Sequence, residues 1–297
     1  MTLQRKLKGI IVALFTPVTS HGNVDHEGLE RLTEYVIDGG VSGIFVMGSM
    51  GGSSFYNREE KLAALKTVAD TAAGRAPVLF GVIENSTKEA LKFIDGAEEN
   101  RADALVLTAP GYFNFNETQL ISYFRDIAQA TSLPVYLYNR PPQNFTKELI
   151  EELKKEENIV GIKDSSSNFL YFLNLLATFV NDDDFSICQG DECMIAQSLI
   201  SGADGAIVGT ANVAPKLVVD IYEAVLKGDY SLAIKLQQRW TELWKVNFDA
   251  DMFAGQAGAL ELLGICERYV QKPMQPATDE QMERIRERII AVGALNP

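Results

Sequence analysis

The sequence predicts an α/β fold: a closed barrel of eight parallel strands followed by a helical appendix. Short β-rich apolar runs recur along the first two thirds of the chain, amphipathic helical patterns lie between them, and strands stop after about residue 226. The runs are Gly9–Phe15, Gly43–Met47, Val78–Val82, Ala104–Thr108, Val135–Tyr138, Ile159–Lys163, Phe185–Cys188 and Gly205–Val208. Their spacing of roughly 25 to 30 residues is close to one strand–helix unit.

Helix starts follow from capping chemistry. Asn57 with Glu60 precedes KLAALKTVADTA, Ser86 with Glu89 precedes ALKFIDGAEE, and Asn116 precedes QLISYFRDIAQA. After Ala214-Pro215 one helix runs to about Leu226, and helices alone follow over Tyr230–Val246, Phe253–Tyr269 and Thr278–Val292. An open doubly wound sheet would stop at fewer strands and show a dinucleotide fingerprint, and no G-x-G-x-x-G follows any run. The expectation is a (β/α)8 TIM barrel over residues 1–226 that carries the site, with helices of residues 227–297 packed on it.

Composition narrows the function. The chain has 297 residues, 46% hydrophobic and 23% charged, and no apolar run approaches the ~20 residues a bilayer requires, so membrane insertion is not expected. Lys and Arg number 27 against 40 acidic residues, and a net charge of −13 repels a phosphate backbone, so nucleic acid is not an expected partner. Cys188, Cys193 and Cys266 are odd in number and lack a close pair, which fits a reducing compartment and offers neither a disulfide framework nor metal-ligand spacing. The amino-terminal apolar stretch meets Thr16-Pro17 too soon for a secretory segment, and a cytoplasmic location is expected. His21 and His26, in a loop ahead of the first helix, give Ser-His-Asp catalysis and histidine metal sites little to build on.

In such a barrel the site lies at the carboxyl ends of the strands. Alternation along the sixth run puts Val160 and Ile162 on one face and Ile159, Gly161 and Lys163 on the other. With the branched pair facing the helices, Lys163 points inward, and Gly161 beneath it leaves room for its stem or for a substrate carbon. An ammonium in so dry a place loses hydration, and the free amine attacks a carbonyl carbon to form an imine. The competing reading is a strand-end lysine reaching solvent beside Asp164. The fifth run shifts the balance, because the same alternation turns Tyr136 and Tyr138 inward on the neighbouring strand, where Tyr138 can relay protons. Alone, it would read as a core tyrosine. The second run ends Gly48-Ser49-Met50-Gly51-Gly52, where backbone amides can converge on a small carboxylate, or where the chain simply turns tightly. Asp191 and Glu192 after the seventh run suit substrate hydroxyls and the start of the next helix alike.

Together, Gly48-Ser49-x-Gly51, Tyr138-Asn139-x-Pro141, Gly161-Ile162-Lys163-Asp164-Ser165-Ser166 and Gly205-Ala206-Ile207-x-Gly209-x-Ala211-Asn212 resemble the dihydrodipicolinate synthase and N-acetylneuraminate lyase family. The resemblance runs from Thr16-Pro17 through the carboxy-terminal helices. It implies a homotetramer and a Schiff base between Lys163 and pyruvate or another 2-oxo acid, with no metal or external cofactor. It further implies that Tyr138 relays protons, that Ser49 links that relay, and that Tyr112 reaches a neighbouring subunit's site. The amides of Ser49 and Met50 would hold the pyruvate carboxylate, and Gly48, Gly51, Ile207 and Gly209 would line the substrate.

Departures fall where family members differ in their second substrate. Gly52 stands where a glutamate is usual, Met50 where a second hydroxyl is common, and Gln143 where synthases carry an arginine. A neutral amide grips a second carboxylate less well than a guanidinium fork, which argues against aspartate semialdehyde. Asp191 and Glu192 resemble the acidic pair of the sugar-acid lyases, so the expected partner of pyruvate is an aldehyde released from a 2-keto-3-deoxy sugar acid or a sialic-acid-like substrate. Arg140 either restores positive charge near the site or forms a structural salt bridge. A 4-hydroxy-tetrahydrodipicolinate synthase or 2-oxo acid dehydratase is the alternative enzyme, and a non-catalytic barrel that binds a 2-oxo acid is the alternative of another class.

Overall fold

The computed structural model describes residues 7–295. Strands β1 (Gly9–Ala13), β2 (Gly43–Val46), β3 (Val78–Val82), β4 (Ala104–Thr108), β5 (Val135–Asn139), β6 (Ile159–Asp164), β7 (Ser186–Gln189) and β8 (Gly205–Val208) pair in chain order and close into a barrel, β8 parallel to β1. Every strand residue is buried, as required of a sheet walled by helices outside and filled by side chains inside. This is the (β/α)8 fold that the spacing of apolar runs predicts. At the closing seam a Cβ on Gly205 would lie 2.1 Å from the Gly9 carbonyl oxygen, an approach that a side chain would forbid.

Helices α1 (His26–Asp38), α2 (Arg58–Ala72), α3 (Thr87–Leu91), α4 (Ile94–Glu99), α5 (Glu117–Ala128), α6 (Lys147–Leu153), α7 (Phe169–Thr178), α8 (Ile195–Ile200) and α9 (Pro215–Leu226) connect and close the strands. Asn57 and Asn116 start α2 and α5 with complete capping boxes, and Ser86 accepts the Glu89 amide at the head of α3. Four further helices follow: α10 (Tyr230–Trp244), α11 (Val246–Asp249), α12 (Met252–Leu262) and α13 (Asp279–Ala291). No helix among the described residues is long and apolar enough to cross a membrane.

Several boundaries differ from expectation for identifiable reasons. The first strand ends at Ala13 rather than Phe15, because the Phe15 amide turns to the Asn212 side chain at 3.0 Å. The pattern ALKFIDGAEE is not one helix. It breaks at Lys92-Phe93, which seats Phe93 in the core against Phe80, and a Cβ on Gly96 would meet Leu62 of α2 at 2.5 Å. The helix expected to reach Tyr269 stops at Leu262, just ahead of Gly264 with φ +73°. His26 is the first residue of α1 rather than part of the preceding loop, and its Nδ1 lies 2.7 Å from the Thr67 hydroxyl.

The carboxy-terminal helices are hydrogen-bonded into the barrel. Gln237 of α10, buried, donates to the Glu192 carbonyl at 3.0 Å and accepts the Ala196 amide at 2.9 Å. Arg288 of α13 holds Asp249 of α11, with Nη2 3.0 Å from Oδ1.

Candidate active site

The interior of the barrel is defined by contacts that cross it. Phe45 on β2 and Tyr138 on β5 belong to strands that are not neighbours, yet their rings meet edge to face at 6.3 Å between centroids. Lys163 on β6 joins them, with Nζ 4.3 Å from the Tyr138 ring centroid and 5.5 Å from that of Phe45. Lys163 is only 5% exposed, so the strand-end lysine reaching solvent is excluded. Asp164 does not pair with it. That carboxylate is itself buried and accepts Asn139 Nδ2 at 2.7 Å and the Ser166 hydroxyl at 2.9 Å. Asn139 Oδ1 in turn accepts the Phe145 amide at 2.9 Å, which locks the ends of β5 and β6 together and fixes Tyr138 beside Lys163, its partner in the strand register.

The space beneath the lysine is not open as the sequence suggests. The Tyr136 ring lies over Gly161, where an added Cβ would sit 2.6 Å from two ring carbons. Room for the lysine stem comes instead from Gly190 at the end of β7, where a Cβ would fall 2.8 Å from Lys163 Cε and 2.1 Å from Ser165 Oγ.

Burial alone would make Tyr138 harder to ionise. The Lys163 charge, the hydroxyls of Ser49 and Ser165, and Arg140 outweigh it and hold the phenol below its ordinary value. Ser49 Oγ is buried and completes no full hydrogen bond of its own. The turn that carries it is shaped by packing: a Cβ on Gly48 would lie 2.6 Å from the Phe45 ring, and one on Gly51 would lie 3.0 Å from the Leu14 carbonyl oxygen. Thr16 donates to the Gly51 carbonyl at 2.8 Å and anchors the turn to the segment after β1. Gly52 has φ +65°, which accounts for glycine at this position.

Asp191 and Glu192 already have backbone partners. Asp191 caps the following turn by accepting the Cys193 amide at 2.9 Å. Glu192, buried, accepts the Gly209 and Thr210 amides, each at 2.9 Å. Burial pushes its carboxyl above the usual range, while Thr210, the Gly209 amide and the Lys163 charge pull the other way. Ile207 is fully buried in β8, and the Met50 side chain reaches Gly209, where a Cβ would meet its methyl carbon at 2.4 Å.

A cavity of about 120 Å³ adjoins this group and is lined by Ser54, Asn85, Thr108, Arg140 and Gln143 among others. Thr108 is the strand partner of Tyr138. Arg140 forms no salt bridge among the described residues, so the structural ion pair considered for it is absent. Gln143 Nε2 donates to the Phe113 carbonyl at 3.4 Å, tethering the loop that carries Tyr112. Tyr112 is 82% exposed and does not approach Lys163 within this chain. Phe45, Asn139 and Thr108 were not singled out from sequence. Asn139 belongs to the Tyr138-Asn139-x-Pro141 motif, but nothing in the local pattern marks Phe45.

Residues 6–292 match the model of the dihydrodipicolinate synthetase family. The chain belongs to that family. Its members are class I pyruvate-dependent lyases and aldolases, and this chain is an enzyme of that kind. A 4-hydroxy-tetrahydrodipicolinate synthase from Neisseria meningitidis serogroup B is 32% identical over 292 residues, 97% of this chain and 100% of the relative. The dihydrodipicolinate synthase structure from Bacteroides thetaiotaomicron aligns with a TM-score of 0.91 at 32% identity, over 95% of this chain and 98% of that one. The structure of YagE from E. coli K12, a dihydrodipicolinic acid synthase family protein in complex with pyruvate, aligns with a TM-score of 0.92 at 27% identity, over 97% and 99%. The curated relatives thus bear the name of the alternative enzyme weighed from sequence, and they lend no support to a sialic-acid-like substrate.

Proposed function

We propose that the chain condenses pyruvate with a small aldehyde that carries an anionic group, in the manner of its curated relatives, through an imine at Lys163. The observation that carries the reading is a lysine amine enclosed in the barrel, 4.3 Å from the ring of a phenol that ionises more readily than usual. The amine attacks the pyruvate ketone, and the carbinolamine loses water to give a cationic iminium. Loss of a methyl proton gives an enamine, which adds to the aldehyde carbon. The new alkoxide takes a proton, and water releases product and the free lysine. Tyr138 handles the protons, with Ser49 and Ser165 beside it. The amides of Ser49 and Met50 receive the pyruvate carboxylate, with Gly48 and Gly51 shaping their turn. Arg140, not Gln143, supplies the positive charge for the far end of the aldehyde from the adjoining cavity.

Incubation with pyruvate and borohydride followed by mass measurement tests the first step. The expected result is one adduct, absent in Lys163→Ala, and no adduct in the wild type would remove the reading. A panel comparing aspartate semialdehyde with neutral aldehydes by kcat/KM tests the second half, with Arg140→Ala expected to lose activity selectively on the anionic member. A second reading follows from Gln143: a neutral polyhydroxylated aldehyde, as released from a 2-keto-3-deoxy acid, is then the better substrate, and Arg140→Ala leaves the ranking unchanged. Pyruvate binding without turnover of any aldehyde would instead mark a non-catalytic barrel.

A further inference from the structure

Glu192 is a buried acid for which the imine chemistry above has no use. Its Oε1 accepts both the Gly209 and the Thr210 amides at 2.9 Å, and these open the turn that follows β8. The same turn is held from the other side. Asn247 of α11 donates to Thr210 Oγ1 at 3.3 Å, and the buried Gln256 of α12 donates to Asn247 at 2.9 Å. Gln237 of α10 fixes the Glu192 main chain. Against Gly209 lies the Met50 side chain, whose methyl carbon would be 2.4 Å from any Cβ there.

We propose that Glu192 is a positioning residue: by clamping the Gly209–Thr210 turn it seats Met50 and thereby sets the backbone amides of Ser49 and Met50 that receive the pyruvate carboxylate. This rests on the reading that pyruvate is captured at Lys163. The clamp requires an acceptor oxygen and not a charge, so glutamine can replace glutamate while alanine strands two buried amides.

The test titrates pyruvate against the yield of borohydride-trapped adduct and measures KM and kcat in parallel. Glu192→Ala is expected to need about tenfold more pyruvate for half-maximal adduct, with kcat at saturation within about threefold, whereas Glu192→Gln stays within about threefold of wild type in both. Gly209→Ala displaces Met50 without removing the clamp, and the same rise in pyruvate requirement is expected. It decides the matter should Glu192→Ala not fold. Wild-type titrations for Glu192→Ala or for Gly209→Ala would overturn the inference, as would a folded Glu192→Gln that behaves like the alanine variant. Failure of the wild type to form any adduct would instead sink the underlying reading.

Discussion

Gly161→Ala measures how tightly the barrel axis is filled. The new methyl would stand 2.6 Å from Cδ1 and Cε1 of Tyr136 and 2.8 Å from the Ser186 carbonyl oxygen. Ordinary contact begins near 3.4 Å, so the ring must give by 3.4 − 2.6 = 0.8 Å. It has nowhere to go, because Tyr136 is completely buried, and Ser186 is the β7 partner of Gly161 in the ladder. Overpacking of this kind costs about 1–3 kcal/mol. At roughly 2–4 °C per kcal/mol for a large domain, the melting temperature should fall by about 2–12 °C. Differential scanning calorimetry reads this directly. Gly111→Ala is the control, since a Cβ there meets nothing within 4 Å, and it should melt within about 2 °C of wild type, in line with ~0.5 kcal/mol or less for a site with open space. Equal melting temperatures for Gly161→Ala and wild type would show that the axis is looser than the contacts indicate.

Three further outcomes follow from the same geometry. Tyr138→Phe should retain the pyruvate adduct by mass but lose about 10²–10⁴ in kcat, the usual worth of a proton-transfer group, and turnover within a few-fold of wild type would place the relay elsewhere. Asn212→Ala removes the side-chain partners of the Phe15 amide and the Ala13 carbonyl, while the Gly209 carbonyl keeps the Asn212 main-chain amide at 3.0 Å. At about 1 kcal/mol or more for each of two buried groups, urea unfolding should reveal a loss of about 2 kcal/mol or more, and a loss below about 1 kcal/mol would refute that accounting. Burial raises the Asp164 carboxyl, with Asn139 and Ser166 opposing, so its folded value lies above its unfolded one. Its stabilising contribution is therefore full below the ordinary carboxylate range of about 4 and is lost as pH rises through the raised value. The stability difference between wild type and Asp164→Asn should shrink from pH about 4 towards pH about 7, and a difference that grows over that range contradicts the assignment.

Much of the molecule is written in local pattern. Eight apolar runs at the spacing of a strand–helix unit determine the barrel, and Asn57, Asn116 and Ser86 start their helices where capping chemistry places them. Period-two alternation alone turned Lys163 and Tyr138 towards each other, because in a strand the facing of a side chain follows from its position and needs no knowledge of its neighbours. The lack of a long apolar run likewise argues against a bilayer-spanning helix from sequence alone.

What alternation cannot say is what fills the space a side chain enters. The Tyr136 ring over Gly161, the Phe45 edge against Tyr138, and the Glu192 carboxylate spent on the Gly209 and Thr210 amides all join residues far apart in the chain. The Phe45 contact arises only when the sheet closes and brings β2 across from β5. Arg140 is similar: local pattern leaves it between a salt bridge and the site, and only the meeting of the strand-end loops shows that it forms no ion pair among the described residues, the Glu84 carboxylate of the same cavity being held by Lys61. The sequence by itself determined the fold and the lysine–tyrosine pair, because both follow from local periodicity. Tertiary structure decided which acids are already bonded, which charge is left over and how much room remains, because those depend on the meeting of distant segments in a closed, densely packed interior.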